Sequence, residues 1–469
     1  MMKKLNSTII FFSFLSLLNS QPSSFIQKLE GDYFLFDATI NENDNIYIVL
    51  NGIAFPRWVK VIEYNPQSDS SQITFEFNQM PLTEHRGLSD YRLIKGTRKN
   101  AFYFLFDEAP GFCPTPLYYI DLDTREYWSL CFFYSTLAFQ SGINIDNRGF
   151  SHFFINGRIG SGNGPYPAGV YYMKITNKGK LAQTKKITFP GRGTAFMESK
   201  IIPRDLLHLS ATQKLAIAGR FDSEHSFIIQ ADTSGQFFQH SLLKSIDLDQ
   251  LIYDKEGGFY ALGSTQLKTD LSENKEDLVL LKFNADFKLQ WSKIYYADNF
   301  DFKRATMEVL PDGSLALAYS TKGAFPVILA KLDSSGDIRW QKGYPLYEPF
   351  LNVFSDGSLL LSTRQHFDAA GNTFRQAIIA KTDTLGNIDG CEVFPTCLKS
   401  TDVSIEVSEL VINEMPAYPL FDSTELVFRD SVVRFADFCD IPPSPSPEFV
   451  LPDTVCVGAC VEATDLNNH

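Results

Sequence analysis

Ala330-Lys-Leu-Asp-Ser-Ser-Gly-Asp-Ile-Arg-Trp340 decides the fold, because versions of it recur along the chain. Ala380-Lys-Thr-Asp-Thr-Leu-Gly-Asn-Ile388, Leu281-Lys-Phe-Asn-Ala-Asp-Phe-Lys-Leu-Gln-Trp291 and Gln230-Ala-Asp-Thr-Ser-Gly235 are clear copies. Lys174-Ile-Thr-Asn-Lys-Gly179, Ile120-Asp-Leu-Asp-Thr124 and Ile62-Glu-Tyr-Asn65 are fainter ones. Anchored on the polar turn residue, the series is Asn65, Asp123, Thr176, Asp232, Asn284, Asp333 and Asp383, with gaps of 58, 53, 56, 52, 49 and 50 residues. A period near fifty, built from short strands, is the signature of a radial array of sheets.

Around the quoted stretch, Arg304–Leu310, Ser314–Ser320, Pro326–Leu332 and Asp337–Lys342 read as four antiparallel strands. Pro311-Asp-Gly313 and Asp333-Ser-Ser-Gly336 read as the turns, with glycine where positive φ is needed. The first repeat reads Tyr33–Ile40, Ile46–Leu50, Val59–Tyr64 and Gln72–Phe77, and the seventh Pro349–Phe354, Ser358–Thr363, Gln376–Thr382 and Asn387–Phe394. Third strands are nearly all apolar, as expected of sheets buried on both faces. The expected fold class is therefore all-β: a seven-bladed β-propeller with four antiparallel strands per blade and a small C-terminal β extension. Trp128, Trp291 and Trp340 follow their anchors by five or seven residues and read as wedges between blades rather than as a sugar-stacking surface. The seventh repeat reads as complete, so ring closure is expected from packing, helped by a Cys391–Cys397 pair.

The composition sets outer bounds. The chain has 469 residues, 44% of them hydrophobic and 14% aromatic, enough for one large repeat domain with a sizeable core. A net charge of −13 argues against nucleic acid or an anionic membrane surface as partner. Residues 1–20 read as a signal peptide: Lys3 and Lys4, an apolar run from Ile9 to Leu18, and Ser20 before the cleavage point. Residues 21–397 are the expected propeller, 398–441 a β extension or cap with strands Val403–Val411 and Glu425–Phe435, and 442–452 a proline-rich linker. Residues 453–469 read as the start of a truncated PKD or immunoglobulin-like domain. Seven cysteines suit an oxidising compartment, with Cys113 and Cys131 as one disulfide pair and Cys391 and Cys397 as another. Cys439, Cys456 and Cys460 are left without an assigned pairing.

The pattern Asp-Gly-x-hydrophobic, then Ala-Lys-hydrophobic-Asp-x-x-Gly-x-x-x-Trp, resembles the propeller repeats of large secreted surface proteins of gliding bacteria. In that family a propeller is followed by PKD-like domains and a gliding-motility-associated C-terminal sorting domain. The tail Pro452-Asp-Thr-Val-Cys-Val-Gly-Ala-Cys460 is similar to the first strand of such PKD-like domains. The resemblance implies export, display at the cell surface and an adhesive or scaffold role, and it carries over no catalytic residue. The docking motif of quinoprotein dehydrogenase propellers needs one residue more than Asp333 to Gly336 provides.

Chemistry is sparse at this level. No two of the seven histidines have ligand spacing, and Gly160-Ser-Gly-Asn-Gly164 runs into Pro165-Tyr-Pro167 rather than into a phosphate loop's lysine and helix. Asn41-Glu-Asn-Asp-Asn45 and Asp247-Leu-Asp249 offer carboxylates without completing a calcium loop. No catalytic residue, cofactor or metal ligand is assigned. The expected role is a secreted or cell-surface interaction module without catalytic activity. Its partner is an extracellular ligand, glycan or protein, with no nucleic acid and no membrane insertion. The alternative is a secreted carbohydrate-active propeller enzyme. Long loops at Asp107–Pro116, Gly157–Gly169, Gln266–Glu276 and His366–Arg375 mark one face as the expected ligand face.

Overall fold

The computed structural model describes residues 25–29, 33–41, 43–52, 58–68, 70–78, 92–95, 101–105, 115–121, 126–132, 141–157, 169–189, 201–265, 277–296, 302–321, 327–344, 346–347, 350–367, 373–389, 393, 396, 398–416 and 435–437. Among them there are β-strands and turns and no helix. Strand β1 is Phe25–Leu29. The first sheet is β2 (Tyr33–Ile40), β3 (Ile46–Gly52), β4 (Trp58–Asn65) and β5 (Ser70–Asn78). The second is β6 (Arg92–Lys95), β7 (Ala101–Leu105), β8 (Thr115–Asp121) and β9 (Glu126–Phe132). The third is β10 (Ser141–Ile145), β11 (Ser151–Gly157), β12 (Gly169–Ile175) and β13 (Leu181–Thr188). The fourth is β14 (Ile202–Leu209), β15 (Lys214–Arg220), β16 (His225–Asp232) and β17 (Phe237–Lys244). The fifth is β18 (Ile246–Tyr253), β19 (Phe259–Thr265), β20 (Asp277–Phe283) and β21 (Leu289–Tyr296). The sixth is β22 (Phe302–Val309), β23 (Leu315–Thr321), β24 (Val327–Leu332) and β25 (Ile338–Tyr344). The seventh begins with β26 (Leu346–Tyr347) and β27 (Phe350–Val353), both paired to β28 (Leu359–Phe367), which pairs to β29 (Thr373–Lys381).

All these sheets are antiparallel meanders, and a short apolar meander cannot bury both of its faces alone. The described cores lie between neighbouring sheets. Ile48, Ile62 and Tyr64 of the first sheet share a core with Phe354, Leu360 and Ile379 of the seventh. Equivalent cores join the seventh to the sixth, the sixth to the fifth, the fifth to the fourth and the fourth to the third. Strand β20 is buried along its whole length because both faces meet another sheet.

The turn chemistry explains the repeat. At Thr176, Asp232, Asn284, Asp333 and Asp383 the anchor side-chain oxygen accepts hydrogen bonds from the backbone N–H groups two and four residues on. The residue three after each anchor has positive φ: Gly179, Gly235, Phe287, Gly336 and Gly386. Asn65 heads a different turn, accepting from the N–H groups of Gln67 and Ser68. Asp123 lies outside the described residues.

The turn glycine has a second role. A Cβ on Gly386 would stand 2.3 Å from the Trp340 ring, and one on Gly336 would stand 2.9 Å from Trp291 and 2.8 Å from the Tyr295 hydroxyl. Each tryptophan of one repeat thus lies against the anchor glycine of the next, which is why the two recur together. The fifth repeat has no such pair: Gln239 stands at the tryptophan position of the fourth, and Phe287 replaces the glycine. Phe287 accepts φ of 60° and packs its own ring against Phe259 at 4.9 Å. Trp128 sits in β9, and its side chain is outside the described residues.

Three features differ from the sequence expectation. Residues Asn387–Phe394 form no fourth strand among the described residues; β1, from the other end of the chain, pairs with β29 instead, with Phe25 opposite Lys381 and Lys28 opposite Ile378. The expected single strand Val403–Val411 is replaced by three short ones: β30 (Lys399–Asp402), β31 (Val407–Glu409) and β32 (Asn413–Pro416). They add a fifth strand to the outer edges of β21, β17 and β13 in turn. Of the expected strand Glu425–Phe435, the described part is β33 (Phe435–Asp437), which pairs with β1. The signal-peptide, linker and final segments lie outside the described residues, as do the side chains of Cys113, Cys131, Cys391 and Cys397 and most of the four long loops.

Candidate functional site

The first strands of the sheets lie side by side. β2 lies against β6 and β27, β10 against β14, β14 against β18, β18 against β22, and β22 against β27. Polar side chains on these strands bind the backbone of the neighbouring strand. Asn144 Nδ2 donates to the Leu206 carbonyl at 3.1 Å. Asp205 Oδ2 accepts from the Leu251 N–H at 2.8 Å. Gln250 donates to the Met307 carbonyl at 3.2 Å and accepts from the Met307 N–H at 3.0 Å. Asn352 Nδ2 donates to the Ala38 carbonyl at 2.8 Å, joining the seventh sheet to the first.

Glu308 is the exception on this inner row. It is half-buried on β22, beside the strand that carries Gln250. Burial, reinforced by the charge of Asp205, pushes its carboxyl up to about 8. Glu308 thus keeps its proton near neutral pH, as the acid of a carboxylate site does.

A second titratable cluster, buried throughout, sits under the turn that follows β10. Asp146 heads that turn, its Oδ1 accepting from the N–H groups of Arg148 and Phe150. Its Oδ2 lies 3.2 Å from His152 Nε2, and His152 Nδ1 lies 2.8 Å from the Tyr172 hydroxyl. Burial alone would raise the Asp146 carboxyl, but the hydrogen bonds from His152, Phe150 and Arg148 hold it well below the carboxylate range. Burial keeps the His152 imidazole below its ordinary value despite Asp146. The consistent assignment is a neutral ring with Nε2–H donating to Asp146 and the Tyr172 O–H donating to Nδ1. Both His152 and Asp146 side chains are fully enclosed, so no substrate reaches them and they act on stability. Sequence inspection missed this set because His152 and Tyr172 are on different strands. The one local signal was the Asp146 turn cap.

The two acidic motifs with calcium-like composition have other partners. Asp247 and Asp249 face Arg204, and Asp247 also faces Arg220 at 3.3 Å. Asn41 caps its own turn, and the Asp44 carboxylate accepts from the Ser355 N–H and hydroxyl of the seventh sheet. Among the described residues no group of three or more His, Cys, Asp or Glu side chains is placed to hold a metal ion.

These shifts set a pH dependence. Burial lowers His152, His208 and His240 from 6.5, so below that value the folded protein binds fewer protons than the unfolded chain. Their stabilisation is present above the unfolded value and is lost as pH falls through about 6.5. Glu308 acts in the opposite sense: raised from 4.5 to about 8, it contributes stability below 4.5 that is lost as pH rises toward 8. In thermal unfolding scans a Glu308→Gln variant should exceed the parent by at least about 1 kcal/mol at pH 9 and match it near pH 4.5. Equal curves at both pH values would remove Glu308 from the enclosed inner row.

No family model matches the chain, and no curated protein matches it. Solved structures do. A candidate 6-phosphogluconolactonase from Bacteroides fragilis is 13% identical with a TM-score of 0.43, over 82% of this chain and 99% of that one. Prolyl oligopeptidase B from Galerina marginata is 10% identical with a TM-score of 0.48, over 78% of this chain and 51% of that one. A polysaccharide lyase is 10% identical with a TM-score of 0.41, over 74% of this chain and 90% of that one.

Proposed function

We propose that the chain is a closed seven-bladed β-propeller serving as an exported, surface-displayed interaction module without catalytic activity. Seven sheets in chain order, with packed junctions from the third to the seventh and from the seventh through the first to the second, support the ring. The N-terminal strand in the seventh sheet supports closure by strand exchange between the chain ends. The observation that carries the functional reading is the inner row: Asn144, Asp205, Gln250 and Asn352 each bind a neighbouring backbone. Groups held in that way fix the wheel and are not free to move protons. Export and surface display rest on the basic-then-apolar N-terminus and on the repeat's resemblance to surface propellers.

The second reading, a carbohydrate-active enzyme, is favoured by one observation, the raised carboxyl of Glu308. A screen of the intact chain against glycans and extracellular polymers separates the two. The binding reading expects saturable retention of a glycan or protein with no change in its chain length, and an unaffected Glu308→Gln variant. Depolymerisation that disappears in Glu308→Gln would overturn it in favour of the enzyme.

A further inference from the structure

Strands β30, β31 and β32 meet the three outer edges in one repeated manner. Their backbones extend the ladders of β21, β17 and β13. Their apolar residues enter the clefts between successive sheets: Leu398 between the fifth and sixth, Val403 and Ile405 between the fourth and fifth, Leu410 and Ile412 between the third and fourth. Their carboxylates meet a lysine on each edge: Asp402 with Lys293 at 3.2 Å, Glu406 with Lys244 at 3.2 Å and Glu414 with Lys185 at 2.6 Å. A side-chain clasp starts the run, where Gln341 of β25 accepts from the Leu398 N–H and donates to its carbonyl.

The edge strands are held in their sheets without this belt. β13, β17 and β21 keep full ladders to β12, β16 and β20 on their inner sides. The belt has only short, separated strands, and β31 is exposed along its length, Val407 at 47% and nearby Val411 at 58%. Its ion pairs lie at the exposed rim, where water and salt weaken them. Short strands, exposed backbone bonds and rim ion pairs mark a segment that opens without the rest.

We propose that the rim formed by β13, β17 and β21 is a docking surface for extended acidic strands, and that residues 398–416 are its releasable occupant. Recognition is by strand addition: the main chain supplies affinity, while cleft-filling apolar residues and lysine-facing carboxylates supply selectivity. The partner that fits is a peptide segment able to lie extended across three sheets. It carries apolar residues at gaps of five, two, five and two, as at 398, 403, 405, 410 and 412, with carboxylates as at 402, 406 and 414. This site is on the outer rim and is independent of any ligand on the inner row.

The test uses the intact chain. Hydrogen exchange should show the amides of Lys399–Asp402 and Val407–Glu409 exchanging at least about 100-fold faster than those of β16 and β20, and faster again at high salt. A fluorescent synthetic peptide with the sequence of residues 398–416 should bind the intact chain and be displaced by its unlabelled form. A peptide with lysine at the positions of Asp402, Glu406 and Glu414 should bind at least about tenfold more weakly. Belt amides protected as well as those of β20, no peptide binding, or equal binding of the charge-reversed peptide would each overturn the proposal.

Discussion

An Asp146→Ala variant is expected to lose about 2–4 kcal/mol of unfolding free energy, because it removes a turn cap and strands a buried donor. Two losses combine. The turn after β10 loses the cap supplied to the N–H groups of Arg148 and Phe150, which typically contributes about 1 kcal/mol. His152 Nε2–H is left without an acceptor in a fully enclosed site, and the Tyr172 hydroxyl loses the ring that it orients. Asp146→Asn keeps Oδ1 for the turn but puts an amide donor where His152 Nε2–H needs an acceptor, so about 1–3 kcal/mol is expected. Urea unfolding at pH 7 checks both, with an unchanged slope showing that the folded and unfolded states are otherwise alike. An Asp146→Ala loss under about 1 kcal/mol would mean the cluster does not hold the third sheet.

Gly386→Ala should cost about 2–5 kcal/mol, and Gly313→Ala only about 1 kcal/mol, although both positions have φ near +80°. The backbone penalty is common to them. The difference is space: nothing lies within 4 Å of a Cβ at Gly313, whereas one at Gly386 would enter the Trp340 ring. The ring cannot withdraw easily, since Trp340 packs against the core between the sixth and seventh sheets and Tyr344 donates to the Gly386 carbonyl. If the space explanation holds, shrinking the ring in a Trp340→Leu background should recover part of the Gly386→Ala loss. Equal costs at the two glycines would show that φ alone dictates the residue.

The inner row and the buried cluster were far less legible in the sequence than the turns were. Asp333 and Gly336 announce their turn because the interacting atoms are within four residues of one another. Asp205 and Gln250 look like ordinary strand residues, since their partners are backbone atoms of Leu251 and Met307, which any residue would supply. The same reasoning covers Glu308: nothing in its flanking sequence tells that the charge of Asp205, on another sheet, will act on it. The expected fourth strand at Asn387–Phe394 failed for a related reason, as an edge needs a strand without specifying which end of the chain provides it.

By itself the sequence determined the all-β class, the fifty-residue period, the sheet order and the turn glycines, because each is written in residues that act within one repeat. Only the tertiary structure decided that Phe25–Leu29 completes the seventh sheet, that residues 398–416 girdle three others, and that Asp146, His152 and Tyr172 meet. Those contacts are backbone pairings and buried junctions between segments as much as 356 residues apart (Phe25 to Lys381). Chain geometry, rather than residue type, selects among the edges available to them.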